Sequence, residues 1–251
     1  MGPGVAWIIG GGSGIGAAVA VRLAAEGWTV AISGRRRDRL DEVAASHDAI
    51  HAYPLDVTNP PGVTATIDRI VADLGRIDLM VFGAVASVGA APGHYPADRF
   101  QTALDTNLLG LVRLLDPLVA QMQAQGGGQI AVLSSLAGYA GLPRAAMYSA
   151  SKAALISLSQ TMRVELAPKH ISVRLIAPGY VKSEFTARND FPMPFLMETD
   201  DAARRIVDGL TRSSRFEIAF PLPMVAAMKL LRVLPYPLFF AIMARLMPKR
   251  Q

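Results

Sequence analysis

The chain has 251 residues, of which 51% are hydrophobic and 18% are charged, and this composition excludes a disordered protein. The length predicts one large domain, because no segment looks like a linker between two cores. There is no cysteine, which excludes disulfide bonds, thiolate metal sites and a cysteine nucleophile, and the four histidines are too scattered to form a metal cluster.

The net charge of +5 comes from the end of the chain. Residues 220–251 carry five basic residues and no acid, whereas the rest of the chain has 20 basic and 20 acidic residues. A basic, apolar tail on a neutral body favours a membrane surface or a protein partner over nucleic acid. The N-terminus lacks the basic and long apolar regions of a signal peptide, so we expect a cytoplasmic protein. The basic tail residues are Lys229, Arg232, Arg245, Lys249 and Arg250.

Short β-branched runs alternate with longer amphipathic stretches along the chain. This alternation predicts an α/β fold, with a doubly wound parallel sheet of about seven strands and helices on both faces. The predicted strands are residues 5–9, 29–33, 49–53, 79–82, 129–134, 172–177 and 216–220. Helices are predicted at residues 17–26, from residue 60 onward and at residues 148–167.

A glycine-rich turn follows the first predicted strand directly and leads into a helix. Glycines allow a close backbone approach that a β-carbon would block, and the helix N-terminus offers N–H groups to a pyrophosphate. The order of strand, turn and helix predicts a dinucleotide site rather than a turn that serves packing alone. The residues of this predicted site are Gly10, Gly12, Ser13, Gly14, Ile15 and Gly16.

Arg35 and Arg36 follow the second strand, where a dinucleotide fold distinguishes a ribose from a 2′-phosphorylated ribose. No acid stands there, and guanidinium groups offer forked donors to phosphate oxygens, so the sequence favours NADP over NAD. The alternative is that these arginines, and above all Arg37, solvate the first turn of a surface helix. Asp56 and Val57 are predicted to adjoin the adenine, although Asp56 is also a candidate helix cap.

The predicted chemistry depends on Tyr148, Lys152 and Ser135. Tyrosine and lysine four residues apart lie on one face of a helix. A phenol with a pKa of about 10 is a poor acid–base catalyst at neutral pH, and we expect the nearby ammonium to lower that pKa. Ser135 ends the fifth predicted strand, where its hydroxyl can reach a substrate oxygen beside the phenol. Each residue alone would be weak evidence, but their order along the chain predicts an active site.

Together these motifs resemble the classical short-chain dehydrogenase/reductase family, over residues 4–220. Residues 9–16 match its Thr-Gly-x-x-x-Gly-x-Gly motif except at Ile9, and Asn107, Ser135, Tyr148 and Lys152 match its catalytic tetrad. The resemblance implies a Rossmann-like fold. It also implies that Tyr148 transfers the proton, Ser135 orients the substrate oxygen, Lys152 holds the nicotinamide ribose and Asn107 anchors a proton-relay water.

The resemblance extends to the segment after the sixth predicted strand. After the fourth predicted strand, by contrast, the sequence departs from the family's pattern. The family's Pro-Gly loop implies that the Val181 backbone and Ser183 contact the nicotinamide carboxamide. Residues 82–85 read Phe-Gly-Ala-Val where the family has Asn-Asn-Ala-Gly, so we expect an apolar Ile9–Phe82 contact to replace a hydrogen bond. The β-carbon of Val85 is expected to weaken cofactor affinity. The remaining predicted cofactor-binding residues of these two segments are Ala84, Pro178 and Gly179.

The sequence patterns of the predicted substrate loop and of the tail are less specific than the motifs above. Phe185, Phe191 and Phe195 predict an apolar substrate pocket, but they would equally cap the core. Residues 221–235 and 236–247 predict a pair of apolar helices, each too short and too charged to cross a bilayer. This pair is a candidate membrane-surface anchor, substrate lid or oligomer interface. We expect residues 1–220 to form the dinucleotide-binding and catalytic domain, and 221–251 to extend it.

The resulting functional hypothesis is an NADP-dependent oxidoreductase that interconverts a carbonyl and a secondary alcohol on an apolar, lipid-like substrate. The family resemblance implies a homodimer or a homotetramer. One alternative is a cofactor-sensing or scaffold protein with weak turnover, suggested by the altered residues 82–85. A second alternative is carbon–carbon double-bond reduction or epimerisation on the same scaffold.

Overall fold

The computed structural model describes residues 2–86 and 93–245. Its strands are β1 (Val5–Ile9), β2 (Thr29–Ser33), β3 (Ile50–Ala52), β4 (Leu79–Phe82), β5 (Gly128–Leu133), β6 (Ile171–Pro178) and β7 (Glu217–Phe220). They form one parallel sheet in the order β3-β2-β1-β4-β5-β6-β7. The predicted α/β fold with seven parallel strands is confirmed.

The helices lie on both faces of this sheet, as buried parallel strands require. They are α1 (Gly14–Ala25), α2 (Arg37–Ala44), α3 (Pro60–Leu74), α4 (Ala97–Leu104), α5 (Gly110–Ala124), α6 (Ala146–Glu165), α7 (Thr199–Thr211), α8 (Leu222–Val233) and α9 (Tyr236–Arg245). One turn of π-helix, Asp105–Leu109, joins α4 to α5.

The strand order reverses at β1, which lies between β2 and β4. Ile9, the last residue of β1, pairs with Ser33 on one side and with Phe82 on the other. The chain after β1 and the chain after β4 therefore leave in opposite directions, which opens a crevice at the carboxyl edge of the sheet. The predicted site segments follow strand ends at this edge.

Two apolar layers hold the sheet between the helices. Leu23 of α1 and Ile206 of α7 belong to the buried cluster on one face. Leu114 of α5 and Leu155 of α6 belong to the cluster on the other face, which also contains Ile9. Because neighbouring side chains of a strand point to opposite faces, both layers are filled from the same strands. The strand ends are thereby held in fixed positions relative to the helices that carry site residues.

Several element boundaries differ from the predictions by a few residues. Helix α1 begins at Gly14, three residues earlier than expected, because the end of the glycine turn already forms the first helical turn. Strand β5 ends at Leu133, so Ser135 lies in the following loop and not in the strand. Helix α6 spans Ala146–Glu165, and its start is two residues earlier than expected.

The predicted pair of apolar helices is present as α8 and α9. Residues 246–247 of the predicted second helix, together with Lys249 and Arg250, lie outside the described residues. Helix α8 packs through Val225 and Met228 against a third buried cluster, which includes Tyr139. The two helices leave seven large apolar side chains exposed, namely Leu222, Leu230, Val233, Tyr236, Leu238, Phe240 and Ile242. No helix within the described residues is long and apolar enough to cross a membrane.

Candidate active site

Ser135, Tyr148 and Lys152 converge where the end of β5 meets the start of α6. The Lys152 ammonium lies 5.6 Å from the centre of the Tyr148 ring, because the two residues are one helical turn apart. Ser134, the first residue after β5, donates a hydrogen bond to the Lys152 carbonyl over 2.9 Å. This bond fixes α6 against the end of the strand, and so holds the three side chains together.

The Ser135 hydroxyl is buried and has partners on two loops. It accepts a hydrogen bond from the Ala137 amide at 3.1 Å and donates one to the Pro178 carbonyl at 3.3 Å. The first bond shapes the short 3₁₀ turn after β5, and the second ties this turn to the end of β6. The Ser135 hydroxyl is also close enough to the Tyr148 phenol to act against the rise in the pKa of that group. The hydroxyl therefore lies beside the phenol, as the sequence predicts.

The Tyr148 phenol lies in an apolar environment. Its ring centre is 5.4 Å from that of Phe185. Burial raises the pKa of Tyr148 above its ordinary value, while the hydrogen bond with Ser135 opposes this shift and the neighbouring Tyr180 phenol adds to it. The sequence predicts a lowered pKa for this phenol, but the pKa is raised, because the cost of burying a phenolate is the largest effect. Tyr148 is consequently a protonated acid at neutral pH.

The Lys152 ammonium is held under the end of β5. It donates a hydrogen bond of 2.8 Å to the Leu133 carbonyl, and only 3% of the residue is exposed. Burial lowers the pKa of Lys152 to about 8. The lysine is therefore still largely charged at neutral pH, within a few ångströms of the phenol.

Asn107 reaches the site from the π-helical turn between α4 and α5. Its side-chain amide donates to the Ser151 hydroxyl at 3.2 Å, and its side-chain carbonyl accepts from the Ala86 amide at 2.7 Å. Ser151 in turn donates to the Tyr148 carbonyl at 2.9 Å. Asn107 thus connects the segment after β4 to the helix that carries Tyr148 and Lys152, and π-helical turns of this kind are common at functional sites.

The glycine turn follows β1 as predicted, and its glycines are needed for close packing. A β-carbon on Gly16 would lie 2.2 Å from the Gly10 carbonyl oxygen, and one on Gly10 would lie 2.8 Å from the Gly83 backbone. Gly14 has a φ of +53° at the start of α1. Ser13 precedes this helix without capping it, so the first N–H groups of α1, including that of Ile15, are left for another acceptor. Gly12 has more space, since its nearest neighbour would be 3.4 Å from an added β-carbon.

The arginines after β2 take different positions. Arg36 donates to the Ser13 hydroxyl at 3.1 Å, which brings its guanidinium to the glycine turn. Arg35 is exposed, and its charge contributes to lowering the pKa of Asp56. The larger cause of that shift is the Thr58 amide, which donates to the Asp56 carboxylate at 2.9 Å. Asp56 therefore makes a local turn and does not cap α3, whose N-cap residue is Asn59.

The altered segment after β4 is well packed. Ile9 and Phe82 are opposite each other on β1 and β4, both are almost fully buried, and both belong to the same apolar cluster. This is the apolar replacement that the sequence predicts for the missing hydrogen bond. Ala84 packs against that cluster, with its backbone beside the glycine turn, while Val85 is 37% exposed. Val57, after β3, is buried in the same cluster.

Pro178 is the last residue of β6, and the segment after it begins with Gly179 and forms a loop closed at its base. Val181 pairs with Met197 in an isolated β-bridge, and the Ser183 amide donates to the Thr186 hydroxyl at 2.9 Å. Of the three predicted substrate phenylalanines, Phe185 contacts Tyr148, and Phe191 lies 6.1 Å from Tyr180 between ring centres. Phe195 is 58% exposed, so the structure does not bring it to the other two.

Comparison with known proteins agrees with this architecture. The family model described as short chain dehydrogenase matches residues 4–191, which include the glycine turn and the Ser135, Tyr148 and Lys152 cluster. The chain belongs to the short-chain dehydrogenase family. Members of this family are oxidoreductases that bind NAD(H) or NADP(H), and the resemblance identified from the sequence is confirmed.

Relatives of this short-chain dehydrogenase cover most of its length. A protein of Myxococcus xanthus named an uncharacterized oxidoreductase is 38% identical, over 96% of each chain. A 2-dehydro-3-deoxy-L-rhamnonate dehydrogenase (NAD(+)) of Sphingomonas sp. is 36% identical, over 70% of this chain and 71% of the relative. The crystal structure of a short-chain dehydrogenase from Streptomyces avermitilis superposes with a TM-score of 0.81 over 97% of this chain and 95% of that chain. At 24% identity, that last likeness concerns the fold alone.

The glycine turn of this short-chain dehydrogenase fits a dinucleotide. The first turn of α1 contains no acid that would repel a pyrophosphate, and its N–H groups are not used by a Ser13 cap. Gly10, Gly14 and Gly16 add no side chain of their own at the helix N-terminus, and the tight contacts of Gly10 and Gly16 would not admit one. These features suit the pyrophosphate of either NAD or NADP.

Two residues of the site were not found by sequence reasoning. Ser151 lies between Tyr148 and Lys152 in the sequence, but only the fold shows that Asn107 donates to it. Glu184 follows Ser183, and its carboxylate contacts Arg36 at 3.2 Å. The sequence does show an acid, Glu184, next to the predicted cofactor residue Ser183. Its partner Arg36 is 148 residues away in the sequence, so the sequence alone did not indicate the contact.

Proposed function

We propose that this short-chain dehydrogenase interconverts a carbonyl and a secondary alcohol on an apolar substrate, with Tyr148 as the acid–base group and NADP(H) as the cofactor. The observation that carries the proposal is the convergence of the Tyr148 phenol, the Ser135 hydroxyl and the Lys152 ammonium at the carboxyl edge of the sheet. Nicotinamide, when bound, supplies or accepts the hydride. The protein then has to orient the substrate and move one proton.

The raised pKa of Tyr148 suits the reduction direction. A carbonyl oxygen that accepts a hydrogen bond from the phenol and from Ser135 is polarised, and it takes the phenol proton as the carbon gains a hydride. The positive charge of Lys152 then stabilises the phenolate that remains, because the ammonium is 5.6 Å from the ring centre. We assign to Lys152 the further role of holding the nicotinamide ribose, and to Asn107 that of anchoring the relay water.

The choice of NADP rests on the residues after β2. The turn between Gly34 and the start of α2 contains Arg35 and Arg36 and no acid, and Arg36 reaches the glycine turn through Ser13. A forked guanidinium in this position favours a phosphate over a ribose hydroxyl. The affinity ratio of NADPH to NADH should collapse in Arg36→Ala, measured by calorimetric titration. An unchanged ratio would refute the phosphate assignment.

The apolar substrate class is supported by the surroundings of the phenol. Phe185 packs on Tyr148, and Phe191 packs between Tyr180 and the guanidinium of Arg144, which lies 5.6 Å above its ring. A small polar sugar acid would find few partners among these rings, whereas an aliphatic or ring-fused ketone would bury apolar surface against them. We therefore favour an apolar, lipid-like ketone or alcohol as the substrate.

The direct test follows NADPH absorbance with a panel of apolar ketones. Tyr148→Phe keeps the ring and removes the proton, so its rate should fall about a hundredfold to ten-thousandfold. Tyr53→Phe is a matched control, because the Tyr53 hydroxyl bonds to Asp73, away from the proposed site. Equal rates in wild type and Tyr148→Phe would contradict the mechanism. Turnover of an activated alkene but of no ketone would instead support double-bond reduction.

We further propose that the outer side of α8 and α9 contacts an anionic membrane surface. Their exposed apolar side chains lie beside Arg232 and Arg245, and the described part of this segment carries no acid. A surface of this composition complements an anionic headgroup layer over an apolar interior. Lys229 is engaged by Glu217 of β7 and so anchors α8 to the body of the protein.

Vesicle co-sedimentation tests this contact. Wild type should sediment with phosphatidylglycerol vesicles more than with phosphatidylcholine vesicles, and Leu238→Ser/Phe240→Ser should reduce sedimentation. Val164→Ser is the control, since Val164 is more exposed than Leu238 or Phe240 but lies on α6. Wild-type protein that sediments with neither vesicle would overturn the membrane proposal.

We also propose that a second copy of the chain docks beside α4. An open cleft of about 530 Å³ is lined there mainly by apolar side chains, including Phe100, Leu104 and Leu109. Leu109 and the neighbouring Val112 are exposed, which is unfavourable in a monomer and typical of a contact surface. Leu109→Glu should therefore shift the mass measured by light scattering from an oligomer to a monomer. A wild-type monomer would contradict this proposal.

A further inference from the structure

Glu184 lies between two arginines at the edge of the glycine turn. Its carboxylate accepts hydrogen bonds from both terminal nitrogens of Arg36, each at 3.2 Å, and lies 3.6 Å from the Arg39 guanidinium. The same Arg36 guanidinium donates to the Ser13 hydroxyl. An anionic group therefore already uses the guanidinium donors that are available beside the turn.

The two partners come from distant parts of the chain. Arg36 follows β2 and precedes α2, while Glu184 lies on the loop after β6, next to Ser183. The loop is closed at its base by the bridge between Val181 and Met197, so residues 182–196 project from a fixed point. The Arg36–Glu184 pair thus ties the loop that carries Phe185 to the glycine turn.

The pair can be displaced. The side chains of Arg36 and Glu184 are 51% and 54% exposed, and ion pairs with this exposure contribute little to stability. A phosphate monoester carries more charge than a carboxylate and offers more acceptor oxygens, so it competes well for the same guanidinium. A ribose hydroxyl carries no charge and does not compete in this way.

From these contacts we propose that Glu184 is a specificity-determining residue, a built-in competitor for the arginine donors that a phosphorylated ribose requires. The inference rests on the proposed role of Arg36 in NADP(H) binding. It deepens that role, because binding of the phosphorylated cofactor then has to break the contact between the substrate loop and the glycine turn. The non-phosphorylated cofactor does not have to break it.

Glu184→Gln tests the proposal without requiring turnover. The amide keeps the size of the side chain and removes its charge, so NADPH affinity should rise by about three- to fivefold while NADH affinity stays nearly unchanged. Both affinities are measured by calorimetric titration of the whole protein. Glu198→Gln is the matched control, since Glu198 forms an exposed pair with Lys182 at 3.1 Å, away from Arg36.

The outcomes separate this inference from the proposed cofactor choice. If Arg36→Ala lowers the NADPH preference but Glu184→Gln leaves both affinities unchanged, Glu184 is no competitor and the inference alone fails. If Arg36→Ala leaves the preference unchanged, the phosphate assignment fails first. In the Arg36→Ala/Glu184→Gln protein, the gain from the glutamine should disappear. An equal gain in that background would also overturn the proposal.

Discussion

The side-chain amide of Asn107 donates a hydrogen bond to the hydroxyl of Ser151 at 3.2 Å, and both side chains are fully buried. Ser151→Ala removes the acceptor and leaves a buried amide group poorly satisfied, so we expect a loss of about 1–3 kcal/mol in unfolding free energy. Urea unfolding measures the loss. We also expect slower ketone reduction, because Asn107 is then less firmly held.

Ser159→Ala provides the comparison for that experiment. Ser159 is equally buried on the same helix, and like Ser151 it donates to a carbonyl of its own helix, that of Leu155. Ser159→Ala therefore removes a comparable buried hydroxyl and its bond to the helix backbone, but it does not affect Asn107. Equal destabilisation by the two substitutions would show that the bond to Asn107 contributes nothing.

Ile9 provides a test of the apolar contact that replaces the family's hydrogen bond. Ile9→Val and Ile9→Thr have nearly the same shape, so the difference between them isolates the burial of a hydroxyl opposite Phe82. We expect Ile9→Thr to be less stable than Ile9→Val by about 1–3 kcal/mol. Thermal unfolding at equal pH would reveal this gap. If threonine is tolerated as well as valine, the hydroxyl has found a partner and the apolar interpretation is wrong.

The lowered pKa of Lys152 predicts a pH-dependent stability. The unfolded lysine keeps its proton up to about pH 10.5, whereas the folded one releases it near pH 8. Between these values the unfolded chain binds more protons, so wild-type stability should rise with pH relative to Lys152→Met, by up to about 3 kcal/mol. Below pH 8 both forms are protonated and the difference between the proteins is constant. Parallel stability curves across this window would contradict the prediction.

Gly16 tests the geometry of the turn. A β-carbon there would meet the Gly10 carbonyl oxygen at 2.2 Å, so Gly16→Ala should lose about 3 kcal/mol of unfolding free energy. Gly12→Ala should remain within about 1 kcal/mol of wild type, because its nearest neighbour is a side-chain carbon of Arg39 at 3.4 Å. Circular dichroism melting of both variants is sufficient. Equal melting temperatures would mean that the turn is looser than described.

Much of this arrangement was predictable from the sequence. The boundaries of β1, β2 and β4 match the predicted strands, because β-branched runs were bordered there by glycines and polar residues. The meeting of Ser135 with Tyr148 also follows from general rules, since parallel strands end at one edge and a helix begins beside them. Local pattern and topology were sufficient in these cases.

Features that depend on long-range packing were not predictable. The pKa of Tyr148 is raised because burial outweighs the opposing hydrogen bond with Ser135, and burial cannot be read from a helix face alone. Phe195 was grouped with Phe185 by composition, yet its backbone has a φ of +57° and its ring is exposed. The contact between Glu184 and Arg36 joins segments 148 residues apart. Each of these requires knowledge of which surfaces meet.

The π-helical turn Asp105–Leu109 adds one residue to an otherwise continuous helical rod. One extra residue rotates everything after it by about 100° around the rod axis. The side chains of Phe100 and Leu104 can therefore line the outer cleft while Asn107 and Leu111, just beyond, point to the interior. Deletion of a single residue here would leave a more regular helix. Either the cleft-lining residues or the interior residues would then face the wrong side. The proposed contact surface for a second copy and the interior of the site consequently depend on the same helical phase, so a change in one would alter the other.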